Sequence, residues 1–328
     1  MKDGNSMLIL GARGGVGSEM ARQAGAAGWR VVALQRAPAG AAPDTTPIGV
    51  SRVLGDALRR DDVLAAAAGV DVIVHAVNPP GYRNWDTEVL PMLDNSIAAA
   101  RREGATLVLP GTVYNYGPDA FARLDEMAPQ NPLTRKGAIR VELERRLLAA
   151  SEAGCRVLVV RAGDFFGPGG GNNWFSQAMV VPGRVPGVVR LPGVHGVGHQ
   201  WSYLPDVVCA MLALLARRTS LPPFAAFHLG GHWDADGREM GRAIGRALAR
   251  HGLAEPSLRP FPWWLIRLAA PFATTPREVL EMRYLWRQPL RMDNRRLLAT
   301  LGEEPHTPLD EAVEATLAGL GCLTPTRR

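Results

Sequence analysis

Residues 7–18 read Met-Leu-Ile-Leu-Gly-Ala-Arg-Gly-Gly-Val-Gly-Ser, an apolar run that leads directly into a glycine-rich stretch. Gly11, Gly14 and Gly17 lack a Cβ where a diphosphate must approach the backbone or a helix must pack closely on a sheet. A helix is predicted over residues 18–27, with its N–H groups and positive dipole end directed at that diphosphate. A glycine-rich turn without a ligand is the alternative, and the strand–turn–helix context favours the phosphate site.

The composition of the 328-residue chain is typical of a globular protein, with 47% hydrophobic and 21% charged residues. Three widely spaced cysteines predict neither a disulfide framework nor a Cys-x-x-Cys metal site, and they favour a cytoplasmic location. Because no secretory leader and no apolar run of about 20 residues is found, no membrane partner is expected. The net charge of +6 comes from scattered arginines, so an anionic cofactor is a better explanation for it than nucleic acid.

Up to residue 161, apolar runs of strand length alternate with helical patterns. The runs are uninterrupted rather than alternating, which is typical of a parallel sheet covered on both faces. The fold class predicted is therefore α/β, with a doubly wound parallel sheet. The predicted strands are 7–10, 30–35, 50–54, 71–77, 106–109 and 156–161, and the predicted helices are 18–27, 61–68, 86–103 and 133–151.

Beyond residue 161 the composition of the sequence changes. Residues 163–198 are rich in glycine and proline, which indicates loops and short elements around a pocket. We therefore expect a dinucleotide-binding domain over residues 1–165, with its sheet completed at about 200–230. A smaller, mainly helical C-terminal substrate lobe is expected over 166–199 and 231–328.

Six motifs resemble those of the extended or atypical short-chain dehydrogenase/reductases, the group that includes the nucleotide-sugar epimerases and dehydratases. The resemblance implies a Rossmann fold, a nicotinamide cofactor, a small-molecule substrate under the C-terminal lobe, and a possible homodimer. The motifs are Gly11-x-x-Gly14-x-x-Gly17, Leu54-Gly55-Asp56, Val74-His75-Ala76, Thr112-Val113-Tyr114-Asn115-Tyr116-Gly117, Arg161-Ala162-Gly163-Asp164-Phe165-Phe166-Gly167-Pro168 and Tyr203-Leu204-Pro205-Asp206-Val207-Val208.

Charge near the adenosine ribose favours NADP over NAD. NAD sites carry an acid at the end of the second strand, whereas this chain reads Gln35-Arg36 there and has Arg13 inside the glycine turn. Two guanidiniums could hold a 2′-phosphate, although both could also be ordinary solvent-facing arginines. The cofactor-binding residues expected are Gly11, Arg13, Gly14, Gly15, Val16, Gly17, Arg36, Asp56, Ala57, His75, Ala76, Val77 and Tyr116.

The catalytic set departs from the pattern of the family that the chain resembles. That pattern has a Ser or Thr, which Thr112 matches, and a Tyr-x-x-x-Lys pair, where this chain has Lys136 and Arg140. Arginine does not titrate, so Arg140 is expected to bind the nicotinamide ribose. The positive charge of Arg140 lowers the pKa of the Lys136 ammonium, which suits Lys136 to proton donation. Two alternatives stay open. Lys136 is an exposed surface residue that does no chemistry, or Tyr114 is the acid.

The residues of the sequence are consistent with two functions. One is an NADP-dependent oxidoreductase or epimerase that acts on a small carbonyl or sugar-like substrate, and the other is a non-catalytic NADP-binding regulator. Thr112 and the long aromatic C-terminal region favour the enzyme, whereas the altered Tyr-x-x-x-Lys pair favours the regulator. No metal is expected, because His195 and His199 have no Cys or acidic partner near them in sequence.

Overall fold

The computed structural model describes residues 5–37, 49–79, 84–121, 124–169 and 173–324. The chain divides into two compact units. Unit 1 comprises Met1–Asn115, Arg135–Arg161 and Val208–Phe227, and unit 2 comprises Tyr116–Thr134, Ala162–Val207 and His228–Arg328.

Short strands and helices alternate along the described residues. The strands are β1 (Ser6–Leu10), β2 (Arg30–Gln35), β3 (Val50–Leu54), β4 (Val72–His75), β5 (Thr106–Gly111), β6 (Val157–Arg161), β7 (Asp164–Phe166), β8 (Val188–Leu191), β9 (His199–Tyr203), β10 (Phe224–His228), β11 (His232–Asp234) and β12 (Ser257–Pro260). The α-helices are α1 (Gly15–Ala26), α2 (Arg60–Ala66), α3 (Trp85–Glu103), α4 (Arg135–Glu152), α5 (Leu204–Ala216), α6 (Glu239–Arg250), α7 (Trp263–Ala269), α8 (Thr274–Glu281), α9 (Arg295–Leu301) and α10 (Leu309–Gly319).

Unit 1 is built on a seven-stranded sheet in the order β10-β6-β5-β4-β1-β2-β3. The neighbours from β6 to β3 are all parallel, and Ile9 in β1 pairs with Ala33 in β2 on one side and Val74 in β4 on the other. Strands β1, β4, β5 and β6 are buried along their whole length, as parallel strands between helical layers must be. The predicted α/β doubly wound fold is confirmed.

Element boundaries agree closely with the sequence patterns except around the glycines and at the end of β4. Helix α1 begins at Gly15 rather than at residue 18, because Gly15 and Gly17 form its first turn. Strand β4 ends at His75, so residues 76 and 77 lie beyond it. The glycines at the start of α1 predicted a turn, and the close packing of the first turn of α1 on β1 overrides the low helix propensity of glycine.

Unit 2 contains more strands than its sequence patterns predicted. A three-stranded sheet has the order β11-β9-β7, and β12 pairs with β8 in parallel. Strand β9 pairs antiparallel with β11 and parallel with β7. These strands are three to five residues long, so tertiary pairing rather than local pattern determines them. A core of aromatic and aliphatic side chains, including Phe166, Trp201 and Trp286, packs against them.

Candidate cofactor and active site

The glycines after β1 have different roles in the turn. Gly11 has φ +88°, and a Cβ there would lie 2.4 Å from the Ala76 carbonyl oxygen. A Cβ on Gly17 would lie 2.2 Å from the Gly11 carbonyl oxygen, so only glycine lets α1 approach β1 this closely. Gly14 is the N-cap of α1 and is exposed. Since the first N–H groups of a helix lack intrahelical acceptors, α1 offers donors to an anion.

A cavity of about 180 Å³ lies beside this turn in unit 1. Seven of the predicted cofactor-binding residues line it, namely Gly11, Arg13, Gly14, Arg36, Asp56, Ala57 and Val77. Six others lie outside its lining, namely Gly15, Val16, Gly17, His75, Ala76 and Tyr116. The sequence reasoning did not assign several of the remaining lining residues to the cofactor, namely Leu34, Gly55, Leu58, Pro79, Glu88 and Met92.

Two positive charges and two carboxylates line this cavity, namely Arg13, Arg36, Asp56 and Glu88. Arg13 and Arg36 are both exposed and both line it. The Asp56 carboxylate accepts the N–H of Leu58 at 3.0 Å, so a local turn holds it in place. The end of β2 carries Gln35, followed by Arg36, and no acid.

His75, the last residue of β4, is buried in the interior of unit 1. Its Nδ1 lies 2.8 Å from Ser96 Oγ on α3. Burial, and secondarily the charge of Arg140, lower the pKa of His75 to about 3. The imidazole is therefore neutral at ordinary pH, and its contacts are with the helix that covers the sheet.

Lys136 and Arg140 lie one turn apart on α4, and both are buried, with 1% and 7% of their surface exposed. The interpretation of Lys136 as an exposed surface residue is therefore wrong. Arg140 Nη2 donates to Asn78 Oδ1 at 3.0 Å, and its guanidinium lies 5.1 Å from the Trp85 ring centroid. Asn78 also lines the cavity beside the glycine turn, so one residue links Arg140 to that cavity.

Thr112 and Tyr114 follow β5 and are half-buried. The Thr112 hydroxyl oxygen accepts the N–H of Tyr114 at 3.3 Å, and Tyr114 lies in a short 3₁₀ helix, Val113–Asn115. The chain therefore turns sharply at the carboxyl edge of the sheet, which is where open α/β sheets bind ligands.

Tyr116 belongs to unit 2 and is completely buried. Its hydroxyl lies 3.0 Å from His228 Nε2, and its carbonyl oxygen accepts the hydroxyl of Tyr284 at 3.2 Å. Burial, together with the charges of Glu281 and Asp164, raises the pKa of Tyr284. These contacts hold Tyr116 in the interior of unit 2.

His199 has an acidic partner that the sequence reasoning missed. Its Nε2 lies 2.8 Å from Asp164 Oδ2, and its ring stacks on Trp286 with the centroids 3.6 Å apart. The two paired residues are 35 positions apart, so only the pairing of β7 with β9 brings them together. No group of three metal-ligating side chains occurs among the residues that the structure describes.

A family model described as the NAD dependent epimerase/dehydratase family matches residues 7–230. The chain belongs to this family. The match begins at β1 and extends through β10, so it covers the glycine turn, Thr112, Lys136 and Arg140. The resemblance inferred from the motifs is confirmed.

Solved structures of the family share the fold across nearly the whole chain. A putative epimerase from Burkholderia cenocepacia is 19% identical with a TM-score of 0.73, covering 97% of this chain and 98% of that one. UDP-glucose 4-epimerase of Thermus thermophilus, in complex with NAD, is 20% identical with a TM-score of 0.71, covering 96% and 98%. UDP-glucuronic acid 4-epimerase from Bacillus cereus, in complex with NAD, is 15% identical with a TM-score of 0.70, covering 96% and 98%.

No curated protein matches the chain. Within the described part of the chain, none of the helices has the length and apolar character needed to span a membrane.

Proposed function

We propose that the protein is an NADP-dependent oxidoreductase or epimerase that acts on a small carbonyl or sugar-like substrate. The observation that carries this proposal is the burial of Lys136 and Arg140 one turn apart on α4. Lysine and arginine are rarely buried to this degree without a partner or a function. Arg140 contacts Asn78, which lines the cofactor cavity, so the buried pair is connected to the site where a nicotinamide cofactor would bind.

Each residue of the set has a role that its chemistry allows. The bound cofactor would supply or accept a hydride at the reacting carbon. Thr112 would donate its hydroxyl hydrogen to the substrate oxygen, and Lys136 would give a proton to that oxygen during reduction or take it up during oxidation. Arg140, fixed by Asn78 and Trp85, would hold the ribose through its remaining N–H groups. Unit 2 would supply the substrate-binding lobe.

The cofactor proposed is NADP, because Arg13 and Arg36 line the cavity and the end of β2 carries Gln35 instead of an acid. Two of the structural relatives named above, from Thermus thermophilus and Bacillus cereus, were solved with NAD, so the preference needs its own test. Calorimetry at low ionic strength should show tighter binding of NADPH than of NADH, and added salt should reduce the difference. Arg13→Ser together with Arg36→Ser should remove the preference and leave NADH affinity unchanged. Equal affinities in the wild type would refute the assignment.

The enzyme itself is tested with Lys136→Met, which keeps the length of the side chain and removes its proton. NADPH oxidation would be followed against a panel of small aldehydes, ketones and keto-sugars. The wild type should turn over at least one of them, and the variant should lose roughly 10²–10⁴-fold in turnover while NADPH still binds. Arg135→Met, which changes the exposed neighbour on α4, should leave turnover unchanged.

Two other results would lead to different conclusions. Activity that survives Lys136→Met and is lost in Tyr114→Phe would assign the proton donor to Tyr114. The alternative function, a non-catalytic NADP-binding regulator, is favoured by the replacement of the tyrosine and lysine. Tight NADPH binding without NADPH oxidation by any carbonyl in the panel would support that regulator, provided that NMR also shows no epimerisation of a nucleotide-sugar panel, because an epimerase consumes no net cofactor.

A further inference from the structure

Four large apolar side chains are exposed together in unit 2, on α7 and in the turn that follows it. They are Trp264, Leu265, Leu268 and Phe272, with 64%, 46%, 64% and 89% of their surface exposed. We call these four residues the α7 face. Trp264 and Phe272 are the only aromatic members of the exposed apolar set across the described residues. Isolated exposed apolar residues are normal, whereas a contiguous group indicates a surface that binds something.

The opposite side of α7 already packs against unit 2. Trp263 Nε1 donates to the Pro192 carbonyl at 2.9 Å, and the Trp263 ring lies 5.7 Å from that of Trp174. Ala270, one residue after the helix, is buried. A surface helix that packs on one side is expected to carry polar residues on the other, and α7 carries Trp264 and Leu268 there. The helix is therefore apolar on both sides and held firmly on only one.

Within residues 257–277, the stretch that contains the α7 face, the charged side chains all have one sign, and the next acid along the chain, Glu278, is buried. Residues 257–277 contain three arginines, Arg259, Arg267 and Arg277, and no Asp, Glu or Lys. All three arginines are exposed. The whole chain carries a net charge of +6, which also favours an anionic partner.

We propose that the α7 face binds the surface of a lipid bilayer with anionic headgroups. Tryptophan and phenylalanine with aliphatic neighbours insert at the boundary between headgroups and acyl chains, while arginines beside them attract anionic lipids. Binding of this kind requires no run of residues long enough to cross the bilayer. The expectation that the protein has no membrane partner rested only on the lack of a spanning segment, and the proposal replaces that expectation with a peripheral contact.

A second copy of the chain suits the α7 face less well than a lipid surface. A two-fold contact pairs the same patch with itself, so Arg259, Arg267 and Arg277 of one copy would face the same arginines of the other. Residues 257–277 contain no acid that could compensate them. Anionic headgroups provide that compensation over a whole surface.

The test measures vesicle binding by the full chain. Vesicles of phosphatidylcholine alone are compared by flotation with vesicles of three parts phosphatidylcholine to one part phosphatidylglycerol. The wild type should bind the anionic vesicles and lose that binding at high salt. Arg267→Ala should weaken the partition coefficient about fivefold, as expected for one basic residue near such a surface. Trp264→Gln with Phe272→Gln should weaken it at least about tenfold.

Control variants separate the α7 face from general effects of charge and hydrophobicity. Met127→Gln removes an apolar side chain that is 86% exposed elsewhere in unit 2, and Arg60→Ala removes an exposed arginine in unit 1. Both should bind vesicles like the wild type, and all variants should keep the wild-type unfolding midpoint. Light scattering that shows a dimer disrupted by the Trp264 and Phe272 changes, without vesicle binding, would overturn the proposal in favour of a second copy. Absence of vesicle binding by a monomer would also overturn it.

Discussion

Three substitutions of glycines in and next to α1, Gly14→Val, Gly17→Ala and Gly25→Ala, should distinguish an effect on NADPH binding from an effect on the stability of the fold. Gly14 is exposed at the N-cap, Gly17 is buried in the first turn and Gly25 is near the end of the helix. A Cβ would meet nothing within 4 Å at Gly25, would lie 3.3 Å from the Gly11 carbonyl oxygen at Gly14, and would lie 2.2 Å from that oxygen at Gly17. The three positions should therefore respond differently.

The expected stabilities follow from these distances. Gly25→Ala should raise the free energy of unfolding by about 0.5–1 kcal/mol, because alanine loses less backbone entropy in a helix. Gly17→Ala places a carbon in contact with backbone that cannot rotate away, so we expect a loss of about 1–3 kcal/mol or more. Gly14 has φ −81° and ψ 165°, which any residue adopts. Gly14→Val should therefore cost only about 0.5–1 kcal/mol, through a poorer N-cap and the tight contact with the Gly11 carbonyl oxygen.

The assays are urea unfolding for stability and calorimetry for NADPH binding. Gly14→Val should lose most of its NADPH affinity with nearly wild-type stability, because its side chain projects where a diphosphate would approach the helix N-terminus. Gly25→Ala, the matched control on the same helix, should bind NADPH like the wild type. A stable Gly14→Val protein with wild-type affinity would refute the phosphate site, and a fully stable Gly17→Ala protein would refute the packing argument.

Three further predictions concern buried polar groups. The pKa of His75 is about 3 in the folded state, against 6.5 in the unfolded chain. The unfolded chain therefore binds the extra proton, so the free energy of unfolding falls as pH falls below 6.5. From pH 6 to pH 4 the wild type should lose about 2.5 kcal/mol more than His75→Leu in urea titrations, and parallel losses would contradict this. Glu144→Gln breaks a buried ion pair in which Arg161 donates to both carboxylate oxygens at 2.5 and 2.9 Å. The free energy of unfolding in urea should fall by about 3–5 kcal/mol, and a fall of less than about 1 kcal/mol would contradict this. Tyr116→Phe removes the contact with His228 and should cost about 1–3 kcal/mol in thermal unfolding, whereas an unchanged midpoint would show that this contact contributes nothing.

Local pattern was sufficient for most of unit 1. The predicted strands at 30–35 and 50–54 coincide with β2 and β3; β2 contains a short apolar run, which has few alternatives, and β3 combines β-branched valines with polar residues at the half-exposed edge of the sheet. The parallel sheet followed from the uninterrupted apolar character of the strands. The glycine turn was recognisable because the three glycines follow a strand, although the helix start at Gly15 depended on packing.

The sequence by itself thus determined the fold class, the position of the glycine turn and the family, since each is read from short stretches of neighbouring residues. Tertiary structure alone decided that Lys136 is buried, that Asn78 joins Arg140 to the cavity beside the glycine turn, and that Asp164 pairs with His199. It also decided the pairing of β8 with β12, which are far apart in the chain. The physical reason is that burial and pairing depend on which surfaces meet, and residues distant in sequence supply those surfaces.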